Sequence, residues 1–135
     1  MNLVSVRIIT DDVARLVAFY ERVTGVTASL ANEDFAELRT TSGTLALGST
    51  RTVGLFGPGA AGPAANRSAI VEFLVADVEA EFAALRTWVP EFVTEPTTMP
   101  WGNRALLVRD PDGNLVNLFE PVTEAAVAKF AATPR

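Results

Sequence analysis

The feature that most restricts the fold is an order of elements spelled out twice. Residues 4–9 read as a strand, and Asp11 or Asp12 then offers a carboxylate to the orphan amides of a helix start. Val13, Leu16, Val17, Tyr20 and Val23 follow at spacings of three and four, which is one helical face, and Gly25 suits the left-handed position past its end. Strand candidates occupy 26–30, 35–40 and 44–48, with Ser42-Gly43 as the turn before the last. Residues 69–75 restart the series. Asp77 caps a helix bearing Val78, Phe82, Leu85 and Val89, Pro90 ends it, and strands are expected at 92–94, 104–108 and 115–119. Thr123 opens an alanine-rich tail helix within 122–135. Asp12 and Asp77 lie 65 residues apart, and Arg39/Arg109 and Gly43/Gly113 lie 70 apart. These offsets are close to half the chain, as an internal duplication requires.

The reading is a single domain, 1–135, of class α+β. A first module spans 1–50, a second 69–121, and the stretch 51–68 between them gathers Gly54, Gly57, Pro58, Gly59, Gly62 and Pro63. The middle of that stretch cannot be a regular element. It is either a linker between the modules or a flap over a pocket, with Phe56 as its only aromatic.

Composition removes several function classes. With 49% hydrophobic and 20% charged residues and a mean hydropathy of +0.26, the chain is not of the disordered type. A net charge of −5 lacks the basic footprint that displaces counterions from nucleic acid. No apolar run approaches the roughly 20 residues of a membrane span, and the start at Met1 has no basic segment followed by an apolar one, so the expected location is the cytoplasm. The absence of cysteine removes disulfides and thiolates, and the absence of histidine removes imidazole bases and ligands.

Three pieces of sequence resemble the vicinal oxygen chelate superfamily, which includes glyoxalase I, bleomycin-resistance proteins, fosfomycin-resistance enzymes and extradiol dioxygenases. They are Asp12-Val13 with Ala18-Phe19-Tyr20, then Val75-Ala76-Asp77-Val78, and then Pro100-Trp101-Gly102 with Arg109-Asp110-Pro111-Asp112-Gly113-Asn114. The resemblance implies two βαβββ modules forming a curved-sheet cup with helices outside and ligands inside. It also implies four metal-ligand positions, one on the first and one on the last strand of each module. Seven residues before each capping Asp stand Ser5 and Ile70, and four residues after each hairpin Gly stand Leu47 and Asn117. A one-residue slip in the first hairpin gives Ala46 in place of Leu47. None of these is His, Glu or Asp, so no metal and no other cofactor is expected, and metal-dependent glyoxalase or dioxygenase chemistry is not.

On this register the cup is expected to receive Ser5, Arg7, Ile9, Leu38, Leu45, Leu47, Ile70, Glu72, Leu74, Arg104, Leu106, Val108, Leu115, Asn117 and Phe119, with Val6 and Ile8 under the first helix. Apolar walls with sparse polar groups suit a small organic molecule. Arg7 and Glu72 either pair with each other or meet the ligand. Arg104 is expected to hold an anionic or acceptor group, and Trp101 to cover the flat part of the ligand. The expected function is metal-independent binding of a drug or metabolite, as in the bleomycin-resistance branch, by a homodimer. Two alternatives stand beside it: a metal-independent lyase or isomerase using Glu72 as acid or base, and a ligand-free structural or regulatory dimer.

Overall fold

The computed structural model describes all residues, Met1–Arg135. The chain divides into two compact units: Met1–Asn66 with Pro111–Gly113, and Arg67–Asp110 with Asn114–Arg135. The tip Pro111–Gly113 joins the first unit through Arg15, whose Nη2 donates to the Pro111 carbonyl at 2.8 Å and to Asp112 Oδ1 at 3.0 Å.

In the first unit, β1 (Ser5–Thr10), α1 (Val13–Thr24), β2 (Ser29–Asn32), β3 (Phe35–Arg39) and β4 (Thr44–Ser49) give a sheet of order β1-β4-β3-β2. β1 and β4 run parallel, and the other neighbours are antiparallel. α1 forms as its sequence predicts. The Asp12 carboxylate accepts from the Arg15 amide at 3.0 Å, Gly25 closes the helix at φ +71°, and all five expected face residues are buried. Phe19 is buried with them, edge-on to Tyr20.

A short helix, α2 (Thr50–Val53), occupies the start of the Gly/Pro-rich stretch and buries Val53. Asp34 ties it down: Oδ1 accepts from Ser49 Oγ at 2.7 Å and from Arg51 Nε at 2.6 Å. The Ser49 bond, followed by the Arg51 bond, holds the Asp34 carboxyl below the usual carboxylate range.

The second unit repeats the plan with β5 (Ile70–Leu74), α3 (Val78–Leu85), β6 (Thr94–Thr98), β7 (Asn103–Arg109) and β8 (Leu115–Pro121), in the order β5-β8-β7-β6. The Asp77 carboxylate caps α3 by accepting from the Ala80 amide at 2.9 Å. The helix ends at Leu85, and turns carry the chain on to the buried Val89. β6 lies beyond the 92–94 expected of it. Pro96 has no N–H for a ladder, and an edge strand with a register shift accommodates it.

The tail helix α4 (Glu124–Phe130) is capped by Thr123 Oγ1 and sets Phe130 edge-on to Phe119, with ring centres 5.3 Å apart. Its start sits on Gly102, whose carbonyl accepts from the Val122 and Thr123 amides. Gly102 has φ +94°, and a Cβ there would stand 2.1 Å from Thr123 Oγ1. Gly102→Ala therefore has to strain the backbone and displace the hydroxyl that caps α4. It is expected to destabilise the protein by more than about 1 kcal/mol. Gly43→Ala, with open space around it and no positive φ, is expected to stay within about 0.5 kcal/mol. Chemical denaturation of the two variants checks the contrast.

Candidate functional site

The two hairpins decide which side chains reach the sheet faces turned away from α1 and α3. Side chains alternate along a strand, and paired residues share a face. In the first hairpin Arg39 pairs with Thr44 across four intervening residues. In the second, Arg109 pairs with Leu115 across five. The fifth residue is held in place by Asp110 and Asn114. The Asn114 amide donates to Asp110 Oδ1 at 2.9 Å, its Nδ2 donates to Oδ2 at 2.7 Å, and both residues are buried. Counting four residues from each glycine therefore lands on opposite faces. Asn117 lies on the face away from α3, and its counterpart in the first unit is Ala46, not Leu47.

This register corrects several expected positions. Leu38, Leu45 and Leu47 pair in rows with Val6, Ile8 and Ala36 on the α1 side, and Leu38 and Leu47 are fully buried there. Leu106 and Val108 are likewise fully buried on the α3 side, paired with Leu118 and Val116. Arg104 also lies on that side. Its Nε donates to Glu79 Oε1 of α3 at 2.5 Å, and Nη1 reaches Thr98 Oγ1 at 3.4 Å. It is not available to an anion on the opposite face. Trp101 is 69% exposed in the turn between β6 and β7, whereas Phe119 keeps its expected place on the face of Asn117 and meets Phe130 of α4 there.

The first unit places Ser5, Arg7, Ile9, Phe35, Glu37, Ala46 and Gly48 on the face away from α1. The Arg7 guanidinium carbon lies over two rings, 4.9 Å from the centre of Phe35 and 5.3 Å from that of Phe56. Glu37 is bound through both oxygens by Arg39, at 3.0 and 3.2 Å. That bond is the main cause that holds the Glu37 carboxyl below its ordinary range, with the charge of Arg7 adding to it.

The second unit places Ile70, Glu72, Leu74, Leu107, Leu115 and Asn117 on the face away from α3. Glu72, Asn117 and Leu107 form one row across three strands. Asn117 Nδ2 donates to Glu72 Oε2 at 2.8 Å. A carboxylate only accepts, so the amide must turn its nitrogen to Glu72 and leave Oδ1 as an acceptor. That Oδ1 is buried and makes no hydrogen bond. Glu72 is thus held by Asn117 and does not stand alone, and Arg7 and Glu72 do not pair with each other. Nothing in the sequence points to the approach of Phe35 and Phe56 to Arg7, because the rings converge only through the strand register and the loop after α2.

The metal positions implied by the resemblance are filled by Ser5, Ala46, Ile70 and Asn117. An alanine and an isoleucine supply no donor atom, and a hydroxyl and an amide supply only neutral ones. No group of three His, Cys, Asp or Glu side chains gathers anywhere that could hold an ion. These residues do not fit a divalent metal.

Among solved structures, a glyoxalase/bleomycin resistance protein/dioxygenase from Nocardioides has 22% sequence identity and a TM-score of 0.74, covering 92% of this chain and 85% of that one. A protein of unknown function from Agrobacterium tumefaciens str. C58 has 24% identity and a TM-score of 0.76, covering 89% and 94%. A glyoxalase/bleomycin resistance protein/dioxygenase family enzyme from Burkholderia phytofirmans PsJN has 18% identity and a TM-score of 0.76, covering 90% and 100%. At these identities the likeness is one of fold. No curated protein matches the sequence. The family model of the Glyoxalase/Bleomycin resistance protein/Dioxygenase superfamily matches residues 2–118, and with its repeated βαβββ units the chain belongs to that superfamily, as a member without the metal ligands.

Proposed function

We propose that the protein binds a small organic molecule without the help of a metal, holding it on the face of the second sheet turned away from α3. One observation carries this reading: Asn117 Oδ1 is buried and unpaired beside the Glu72 carboxylate, among Ile70, Leu107 and Leu115. An unsatisfied buried acceptor costs about 1–3 kcal/mol, which a donor on a ligand recovers. The surrounding side chains add non-directional affinity at about 25 cal/mol per Å² of apolar surface buried. At this face the favoured compound carries an N–H or ammonium group on an apolar body. This reverses the acceptor preference expected from Arg104, which is tied to Glu79.

A second reading rests on the same hydrogen bond. Asn117 fixes the Glu72 carboxylate in direction, which suits a group that moves a proton on the bound molecule. Recovery of the compound unchanged after long incubation with the protein supports binding alone, and a new product supports catalysis.

We also propose that the working form is a homodimer. β1 lies at a sheet edge and carries the exposed Val6 beyond Leu3 and Val4, which are exposed as well. A monomeric mass by light scattering at micromolar concentration contradicts this.

The binding proposal is tested by a thermal-shift screen of apolar amines, amidines and anilides, followed by calorimetry on the hits. Asn117→Leu is expected to weaken a hit tenfold or more, and Arg104→Ala to leave its affinity unchanged. Hits that bind Asn117→Leu as tightly as the parent overturn the reading.

A further inference from the structure

We infer that Arg7 forms a separate subsite for a planar carboxylate, with Phe35 as its fixed wall and Phe56 as its movable one. This goes beyond the donor-binding face of the second unit and rests on different residues.

The guanidinium carbon lies over the faces of two aromatic rings. Phe35 and Phe56 lie within 5.3 Å of its centre, and no hydrogen bond or ion pair engages its N–H groups. A guanidinium attracted to ring faces keeps its in-plane donors, and those donors match a carboxylate bidentately. The sheet beneath is cleared for the side chain. Its direct neighbour on β4 is Ala46, and Gly48 on the same face has no side chain. A Cβ at Gly48 would crowd Thr52 Oγ1 at 3.1 Å and come into van der Waals contact with Arg7 Cδ at 3.4 Å, so the glycine leaves room beside the Arg7 stem.

The nearby acid does not use Arg7 up. Glu37 lies one strand beyond Ala46 in the same row, and Arg39 takes both of its oxygens. A cation over two rings, with unused donors and its neighbouring acid already bound, is arranged to receive an anion from outside. Stacking surface on either side favours a flat aromatic acid over a compact phosphate.

The two walls differ in how they are held. Phe35 belongs to β3, whereas Phe56 is 70% exposed on the loop after α2, followed by Gly57 at φ +132°. Its amide bonds to the Val53 carbonyl at 2.9 Å, so the loop is anchored while the largely exposed ring lies over Arg7. An entering aromatic acid can therefore slide beneath the Phe56 ring, which then covers it.

The probe is 2-naphthoate, with 2-naphthylmethanol and 2-naphthyl phosphate as matched compounds, measured by calorimetry on the full chain. The parent protein is expected to bind naphthoate at least tenfold more tightly than the alcohol, and more tightly than the phosphate. Arg7→Met keeps the stem and should weaken naphthoate tenfold or more. Arg7→Lys keeps the charge without the fork and should weaken it severalfold. Phe56→Ala should weaken naphthoate and the alcohol alike, while Arg104→Ala changes neither. No binding of naphthoate to the parent, or equal binding to Arg7→Met, overturns the proposal. Tighter binding of the phosphate than of naphthoate overturns the assignment of a planar carboxylate. Arg7 is exposed and makes no buried bond, so its variants should melt close to the parent. If Arg7→Met does not fold, Arg7→Lys and Phe56→Ala decide.

Discussion

The odd length of the turn at 110–114 is the constraint on which the second sheet depends. Asp110 and Asn114 clasp each other inside it, and five residues separate the paired Arg109 and Leu115. Because side chains alternate with a period of two, one residue more or fewer would exchange every residue of β7 between the two faces. The clasp sends Leu106 and Val108 into the core under α3 and Leu107 to the side of Asn117. It also sends Arg104 to Glu79 of the helix. Leu118, Val116, Leu106 and Val108 are almost fully enclosed on the helix side, so a slipped register would lose burial worth several kcal/mol. The polar cluster at the turn is thus kept in place by the apolar packing it directs.

The two units share a backbone plan but differ in what the equivalent row presents. Arg7, Ala46 and Glu37 cross the first sheet, and Glu72, Asn117 and Leu107 cross the second. In the first row a small central residue leaves an arginine lying against aromatic rings. In the second, an amide binds a carboxylate and retains an unused acceptor. Neither row contains a metal-binding set. The duplication has therefore kept the scaffold, while the chemistry of the two faces has separated into a donor-rich surface and an acceptor-rich one.

Much of this architecture was legible because it rests on local signals. Asp12, Asp77 and Thr123 cap their helices as their positions suggest, and the apolar face of α1 follows the spacing from Val13 to Val23. The repeat predicts the order of elements along both units. Strand facing was less legible, because it depends on the number of residues in each hairpin loop, and Gly43 and Gly113 do not hold equivalent places in theirs. That single difference accounts for the misplacement of Leu47, Arg104 and Leu106. The contact of Phe56 with Arg7 was hidden for another reason: it joins a glycine-rich loop to a strand nearly fifty residues earlier, with no periodicity linking them. The position of β6 was obscured by Pro96, which reads as a breaker but is tolerated at a sheet edge.

The central claim is that Asn117 and Glu72 face a ligand while Arg104 faces α3. A crystal structure of the protein with a donor-bearing hit tests it most directly. The account predicts the ligand's N–H within about 3 Å of Asn117 Oδ1, with Glu72 still bound to Asn117 Nδ2 and Arg104 on Glu79. A ligand bound through Arg104, or Asn117 turned toward α3, would contradict it.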